Sequence, residues 1–115
     1  NIIENSRYNA VKSDALNVIT AGTLYYTDNP NGEADTKDQV TVEKLIETGY
    51  LENPGSIESS AAVKNANPKT LKGNALFSDK TITFEDNTME DINKNTQKGS
   101  QIKDKTYAIP KVSKQ

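Results

Sequence analysis

Apolar residues recur at helical spacing through the first 26 positions of the chain. They are Tyr8, Val11, Ala15, Val18, Ile19, Tyr25 and Tyr26. At 100° per residue these positions span about 120° of arc, the width of a helix face that packs on a core. The pattern predicts an amphipathic helix over residues 1–27, ended by the turn-forming stretch 27–32. Gly22 falls on the buried face, where it would let another element approach closely. Tyr25 and Tyr26 are expected to cover the core with their hydroxyls in water.

A second, shorter helix is predicted over residues 42–48. Thr41 is a suitable N-cap, Glu43 lies in the first turn and Gly49 follows the last turn. Its apolar face would consist of Val42, Leu45 and Ile46. The rest of the region 28–74 shows no sustained period, above all where it is rich in Pro, Gly, Asn and Ser after residue 52. That part is predicted to be loop.

Strand signals come only in the last third of the chain. Leu76-Phe77 and residues 80–85 would make a hairpin, because apolar and polar residues alternate in the second run. A last strand is predicted over residues 106–112. It should lie at an edge of the sheet or carry a bulge, because Pro110 cannot donate to a hydrogen-bond ladder.

These elements predict the fold class α+β. One domain, residues 1–115, would hold the helix 1–27, the loop region 28–74 and a strand-rich region 75–115, which is enough chain for one modest core. The long helix is expected to lie across an antiparallel sheet of three or four strands. The almost wholly polar stretch 86–105 is predicted to be a surface excursion or a second hairpin.

The chain contains neither cysteine nor histidine. This removes disulfides, thiolate metal sites, the commonest general base and every Ser-His or Cys-His nucleophile arrangement. The carboxylate pairs Glu85-Asp86 and Glu90-Asp91 are assigned to surface charge, because adjacent side chains point apart. We therefore predict that the protein is not an enzyme, with no catalytic residue and no cofactor.

An acidic loop follows the first helix and could gather oxygen ligands for Ca²⁺. The candidate ligands are Asp28, Asn31, Glu33, Asp35 and Asp38. Their spacing does not fit an EF-hand loop, because placing Gly32 at the sixth loop position makes Thr27 the first ligand. A solvated turn without metal is the favoured interpretation, and a calcium site in the loop 28–38 is its alternative.

Two stretches resemble the type IV pilins and the related pseudopilins. The first is SRYNAVKSDALNVITAGTLYYTDNPNG, which looks like the half of the pilin helix that is embedded in the head. The second, QVTVEKLIETGYLENP, is similar to the short helix and Gly-Tyr-Leu exit of pilins from Gram-positive bacteria. The cysteine pair of many Gram-negative pilins is missing, which favours a Gram-positive source.

The resemblance implies a pilin-like head domain in a structural filament subunit. A hydrophobic helix upstream of residue 1 would anchor the precursor in the membrane and later build the filament core, and the peptidase site would lie there. The expected location is an extracellular filament on the cell surface, used in adhesion or motility. The expected partners are copies of this chain and other pilins.

The candidate subunit-contact residues fall into an apolar pair and a basic group. Leu16 and Leu24 lie off the buried stripe and are predicted to face neighbouring helices in the filament. Residues 93–115 carry six lysines and one aspartate, whereas residues 1–92 carry fifteen acidic and eight basic side chains. This asymmetry would suit head-to-tail contact between copies. The predicted contact lysines are Lys94, Lys98, Lys103 and Lys105. A solvated lysine-rich face is the favoured interpretation of this cluster, subunit contact is its first alternative, and contact with DNA phosphates or a host surface is another.

Three other assignments stay open at this point. A competence pseudopilin would have the same fold and serve DNA uptake. A type II secretion pseudopilin would depend on its secretion machinery and could use calcium. A sortase-type pilin or adhesin domain, with a possible Lys-Asn isopeptide bond, is the structural alternative outside the family.

Overall fold

The computed structural model describes residues 2–112, and its longest element is helix α1, Ile2–Asp28. The apolar stripe drives this helix onto the core. Its buried residues are Tyr8, Val11, Ala15, Val18, Ile19, Ala21, Gly22, Tyr25 and Tyr26. The predicted helix is therefore confirmed; it ends one residue later than expected, and Asn1 lies outside the described residues.

Within residues 2–112, five strands form one sheet, with spatial order equal to chain order. They are β1 Gln39–Thr41, β2 Ala62–Lys64, β3 Thr70–Phe77, β4 Lys80–Asn87 and β5 Thr106–Ala108. Neighbours from β1 to β4 pair antiparallel, whereas β5 runs parallel to β4. The α+β class is confirmed. The expectation of three or four antiparallel strands is wrong, because the connection 88–105 is long enough to return the chain to the same end of the sheet.

Helix α1 packs across β2 and β3. At the centre of this contact Gly22 faces Val63, and a Cβ built on Gly22 would lie 2.6 Å from the Val63 Cβ. Real Cβ atoms do not approach so closely, so the backbone of the helix and the side chain of β2 are in direct contact. The close approach predicted at Gly22 is confirmed.

The short helix α2, Val42–Glu47, also forms as predicted. The Thr41 hydroxyl accepts a hydrogen bond from the Lys44 N–H at 3.1 Å, and Gly49 has the positive φ of 85° that ends the helix. Val42 and Leu45 are buried. Ile46, which the pattern placed on the same face, is exposed.

The loop predicted after residue 52 is wrong in its second half. Strand β2 occupies residues 62–64, and β3 begins at Thr70, six residues before the predicted start. A strand of three residues is too short to show a period, and β2 gains its hydrogen bonds from β1 and β3 on its two sides. β1, three residues long, was missed in the same way.

The other strand boundaries shift by a few residues. A two-residue turn with Ser78 at φ 55° joins β3 to β4, and β4 continues to Asn87. The last strand, predicted over 106–112, ends at Ala108. It does lie at the edge of the sheet, as predicted, although Pro110 lies beyond the end of the strand. Residues 113–115 of the predicted strand-rich region lie outside the described residues.

The stretch 86–105 is neither a surface excursion nor a hairpin. It contains helix α3, Met89–Asn93, and a 3-10 turn, Gly99–Gln101. Ile92 and Ile102 are buried in the main core, and Asn87, Asp91 and Asn95 are buried polar residues. Its polar composition gave no sign of this burial. The burial is possible because the buried polar side chains have hydrogen-bond partners within the protein.

Candidate assembly surfaces

The connection 88–105 is bound to the amino-terminal half of α1 by polar contacts. The Tyr8 hydroxyl donates to the Asn95 Oδ1 at 2.5 Å, and the Asn95 amide donates to the Tyr107 hydroxyl at 3.2 Å. Burial, followed by the neighbouring Tyr107, raises the pKa of Tyr8 well above its ordinary value. The Lys12 ammonium donates to the main-chain oxygen of Asn95 at 3.0 Å. The Ser100 N–H donates to the Asn5 side chain at 2.9 Å. These bonds fix the lysine-bearing segment to one end of the long helix.

All four predicted contact lysines are exposed on this connection; we call Lys94, Lys98, Lys103 and Lys105 the basic end. Lys94 pairs with Glu90 at 3.4 Å and Lys105 with Asp79 at 3.3 Å. The hydrogen bond and charge of Lys105 lower the pKa of Asp79. Lys103 donates to the Ser100 carbonyl at 3.1 Å. Exposed ion pairs of this kind are weak, so the lysines can exchange them for an anionic partner.

The opposite end of α1 is acidic. Residues 28–52 carry seven acidic side chains and two lysines. The carboxylates are all exposed, and we call them the acidic end: Asp28, Glu33, Asp35, Asp38, Glu43, Glu47 and Glu52. From Tyr8, beside the basic end, to Tyr25, beside the acidic end, the helix rises about 25 Å. The two charged surfaces thus lie at opposite ends of one rigid element.

The buried residue Thr36 holds the acidic loop on the helix. Tyr25 shares a hydrogen bond of 2.7 Å with the Thr36 hydroxyl, and Tyr26 donates to the Thr36 carbonyl at 2.6 Å. The core position predicted for the two tyrosines is confirmed, but the expected wet hydroxyls are wrong. Burial, with the charges of Tyr25 and Asp38, raises the pKa of Tyr26 to about 12.

The carboxylates of the loop 28–38 bind different partners. Asp28 accepts from the Tyr50 hydroxyl at 2.6 Å, and Asp35 pairs with Lys44 at 3.3 Å. Within residues 2–112, no three aspartate or glutamate side chains come together as a group that could hold one metal ion. The geometry therefore gives no support to the calcium alternative.

The outer face of α1 carries no charge. Its positions follow one another at helical spacing, and all are exposed: Ile2, Ser6, Asn9, Ser13, Asn17, Thr20, Leu24 and Thr27. Leu24, with 53% of its surface exposed, belongs to this face. Leu16 lies beside it, half-buried against the core, so the structure separates the two predicted contact leucines. We call these eight residues the uncharged face.

A groove of about 750 Å³ opens beside the carboxyl-terminal half of α1. It lies between the helix, the β2–β3 loop, the start of α3 and the segment 111–112. Its apolar lining includes Ile19, Pro68, Met89 and Val112. The Thr70 hydroxyl, also in the lining, is buried without a hydrogen-bond partner among the described residues. This volume is that of a typical binding cleft.

Asp91 forms one wall of this groove and is buried, so its assignment to surface charge is wrong. Its carboxylate accepts from the N–H groups of Thr88 and Val112, both at 2.9 Å, and from the Asn87 amide at 3.3 Å. Burial disfavours the ionised form, but these hydrogen bonds and the charge of Lys111 outweigh it and lower the pKa of Asp91. The signal in the sequence was the capping box that Thr88 and Asp91 form at α3.

Comparisons with protein-family models, with curated protein sequences and with solved structures found no match to this chain. Among the described residues, no helix has the length and hydropathy needed to span a bilayer. Any assignment of function therefore depends on the surfaces described above.

Proposed function

We propose that this chain is the head of a structural subunit that polymerises without covalent bonds into a type IV pilin-like filament on the cell surface. The observation that carries the proposal is the uncharged face of α1. The partners are copies of the same subunit and other pilins, with α1 turned toward the interior of the filament. A more hydrophobic helix upstream would form the filament core.

An exposed helix face in a soluble protein ordinarily carries charged side chains. In this chain 26% of all residues are charged, yet none of the eight residues of the uncharged face is, although the face follows a helix of 27 residues. Burying small uncharged side chains against a neighbour leaves no ionised group to desolvate, whereas burying a lysine or glutamate would be costly. Ile2 and Leu24 add apolar surface toward the two ends of the face. This face is suited to packing against other helices.

The charged ends support a polar, head-to-tail arrangement. Because the basic and acidic ends are different surfaces at opposite ends of α1, contact between them is heterologous. Heterologous contacts produce rings or open helices, and an open helix is a filament. Complementary charge would orient incoming subunits and would be weakened by salt.

The test places charge on the uncharged face in the cells that produce the protein. The variant Asn17→Lys with Thr20→Lys is expected to abolish filaments seen by electron microscopy, because two ammonium groups would have to be buried between helices. Lysine has a helix propensity at least as good as asparagine or threonine, so the fold should remain as stable as before. Thermal unfolding of the purified chain measures this.

The matched control is Ser60→Lys, which adds charge at an exposed loop position away from α1. It should leave filaments in normal number. Normal filaments from the Asn17→Lys, Thr20→Lys variant would show that this face does not pack in the filament and would remove the main support for the proposal.

A further inference from the structure

The β3–β4 hairpin ends in an exposed apolar side chain. Leu76 has 62% of its surface exposed, next to the two-residue turn. Arg7 of α1 donates to the Ser78 hydroxyl at 3.2 Å, which ties the turn to the helix. Lys105 pairs with Asp79 on the same turn. We call residues 76–80 the hairpin tip; it presents the apolar knob Leu76 beside more basic than acidic charge, because Asp79 is outnumbered by Arg7, Lys80 and Lys105.

The hairpin tip and the groove lie at opposite ends of the same two strands. Strand β3 begins at Thr70 in the groove and reaches Leu76 at the tip, a rise of about 20 Å. Helix α1 shows the same order, with Arg7 at the tip and Ile19 at the groove. A knob and a cleft at opposite ends of one rigid unit cannot meet within a single copy. They can meet between successive copies.

The groove has room for an apolar side chain from another copy. Met89, at 38% exposure, gives its mouth apolar surface. The Thr70 hydroxyl is buried without a partner, although buried polar groups in proteins are almost always paired. Its burial places this hydroxyl out of reach of another copy, so the contact depends on the apolar lining of the groove.

Charge also favours this pairing. The groove lining carries three lysines, Lys64, Lys69 and Lys111, and three carboxylates, those of Asp86, Glu90 and Asp91. Lys69 is engaged with the Ala66 carbonyl and the Tyr26 ring, and Lys111 with the Asp86 carbonyl. The charge of the lining itself is balanced, and the excess negative charge lies next to it: the β2–β3 loop joins the groove to the acidic loop through a hydrogen bond of 2.8 Å from the Asn65 N–H to the Asp38 carbonyl. A basic tip therefore meets a surface beside the acidic end.

We propose that the hairpin tip of one copy seats Leu76 in the groove of the next copy. This inference rests on the proposed function and names the contact through which successive heads join. The contact is heterologous and leaves a free tip at one end and a free groove at the other. It can therefore be repeated without limit along a filament.

Cysteine trapping tests the contact, since the chain has no cysteine of its own. The double variant Leu76→Cys, Met89→Cys is expressed in the cells that produce the protein, and the assembled material is oxidised gently. Non-reducing gels should show a ladder of multimers, because each copy bonds to the next in both directions. Either single variant should give no ladder. The control pair Leu76→Cys, Ser60→Cys keeps the knob and puts the second thiol outside the groove, and it should stay monomeric.

Several results would overturn the inference. Filaments of normal number with no ladder from the double variant would show that the tip and groove do not meet, while leaving the filament function intact. Dimers from Leu76→Cys alone would show a symmetric contact between tips. Absence of filaments from the unaltered protein would overturn the function and this inference together.

A second variant needs no cysteine. Leu76→Asp places a charge on the exposed knob and should reduce filament number about tenfold or more. Leu76→Met keeps the knob apolar and should leave the number unchanged. Equal filament numbers for the two variants would contradict the contact.

Discussion

Helix α1 makes two contacts of opposite character with the rest of the protein. Against β2 and β3 it packs apolar side chains, and Gly22 brings its backbone against Val63. Against the connection 88–105 it uses hydrogen bonds, with Tyr8 and Lys12 both bound to Asn95. The same helix is thus joined to the sheet by shape and burial, whereas its contact with the connection adds directed polar bonds to the burial of Ile92 and Ile102.

The two contacts serve different purposes. Apolar burial is non-directional and supplies most of the free energy of folding. A buried hydrogen bond adds little net stability, but it demands a defined geometry and is costly to leave unmade. The connection carries the lysines of the basic end, so its hydrogen bonds fix where positive charge lies relative to the helix. We expect the sheet contact to determine stability and the connection to determine the surface presented to partners.

The largest effect is expected in the apolar contact. Phe77→Ala removes a ring that is 1% exposed and lies 5.8 Å from the Tyr8 ring. It should lower the free energy of unfolding by about 3–5 kcal/mol, as measured by chemical denaturation. The neighbouring change Leu76→Ala removes an exposed side chain from the same strand and should change it by less than about 0.5 kcal/mol. Similar losses for the two variants would contradict this view of the core.

The apolar contact is also the part that the sequence predicted well. Periodicity located α1 and its buried residues, because 27 residues give seven turns over which a stripe can be recognised. The turn signals and the N-cap Thr41 located α2. The three-residue strands β1 and β2 were missed, since so short a run has no period and depends on neighbouring strands for its hydrogen bonds.

The polar contact and the groove could not be predicted in the same way. Asn95 and Asp91 look like surface residues in the sequence, and only their partners at distant positions make their burial favourable. The groove joins residues from four separate segments, which no local pattern brings together. The uncharged face, in contrast, follows from helical spacing as the stripe opposite the buried one, and of the two predicted contact leucines it includes Leu24 but not Leu16.

An intermediate effect is expected in the polar contact. Asn95→Ala leaves the buried Tyr8 hydroxyl without its acceptor and should cost about 1–3 kcal/mol of unfolding free energy. Tyr8→Phe removes the same hydrogen bond by deleting its donor, the Tyr8 hydroxyl. The double variant should lose less unfolding free energy than the sum of the two single variants. The difference, measured by chemical denaturation, should be about 0.5 kcal/mol or more.

The control for these variants is Asn93→Ala, which changes an exposed asparagine at the end of α3. It should change stability by less than about 0.5 kcal/mol. A loss at Asn95 as large as that at Phe77 would remove the distinction between the two contacts, and simple additivity with Tyr8→Phe would show that the hydrogen bond is not what holds the connection.

The smallest effect sharpens the comparison through pH. Asp91→Asn replaces a carboxylate that accepts three hydrogen bonds with a group that can accept fewer, and should cost about 0.5–2 kcal/mol at neutral pH, as for other lost helix caps. The pKa of Asp91 is lowered in the folded protein, so the ionised form is the one that folding favours. Its contribution is therefore complete above the unfolded pKa of about 3.9 and is lost as pH falls through the lower folded value.

The measurement is the difference in unfolding free energy between the unaltered protein and Asp91→Asn across pH 7 to pH 2 or so, roughly the range over which an aspartate titrates. It should be constant near neutrality and shrink in acid. Asp104→Asn, at an exposed position of the same connection, controls for the loss of one surface charge. A difference that grew in acid would mean that the buried carboxylate is held in its neutral form, and that the connection is joined to the sheet by something other than the hydrogen bonds described.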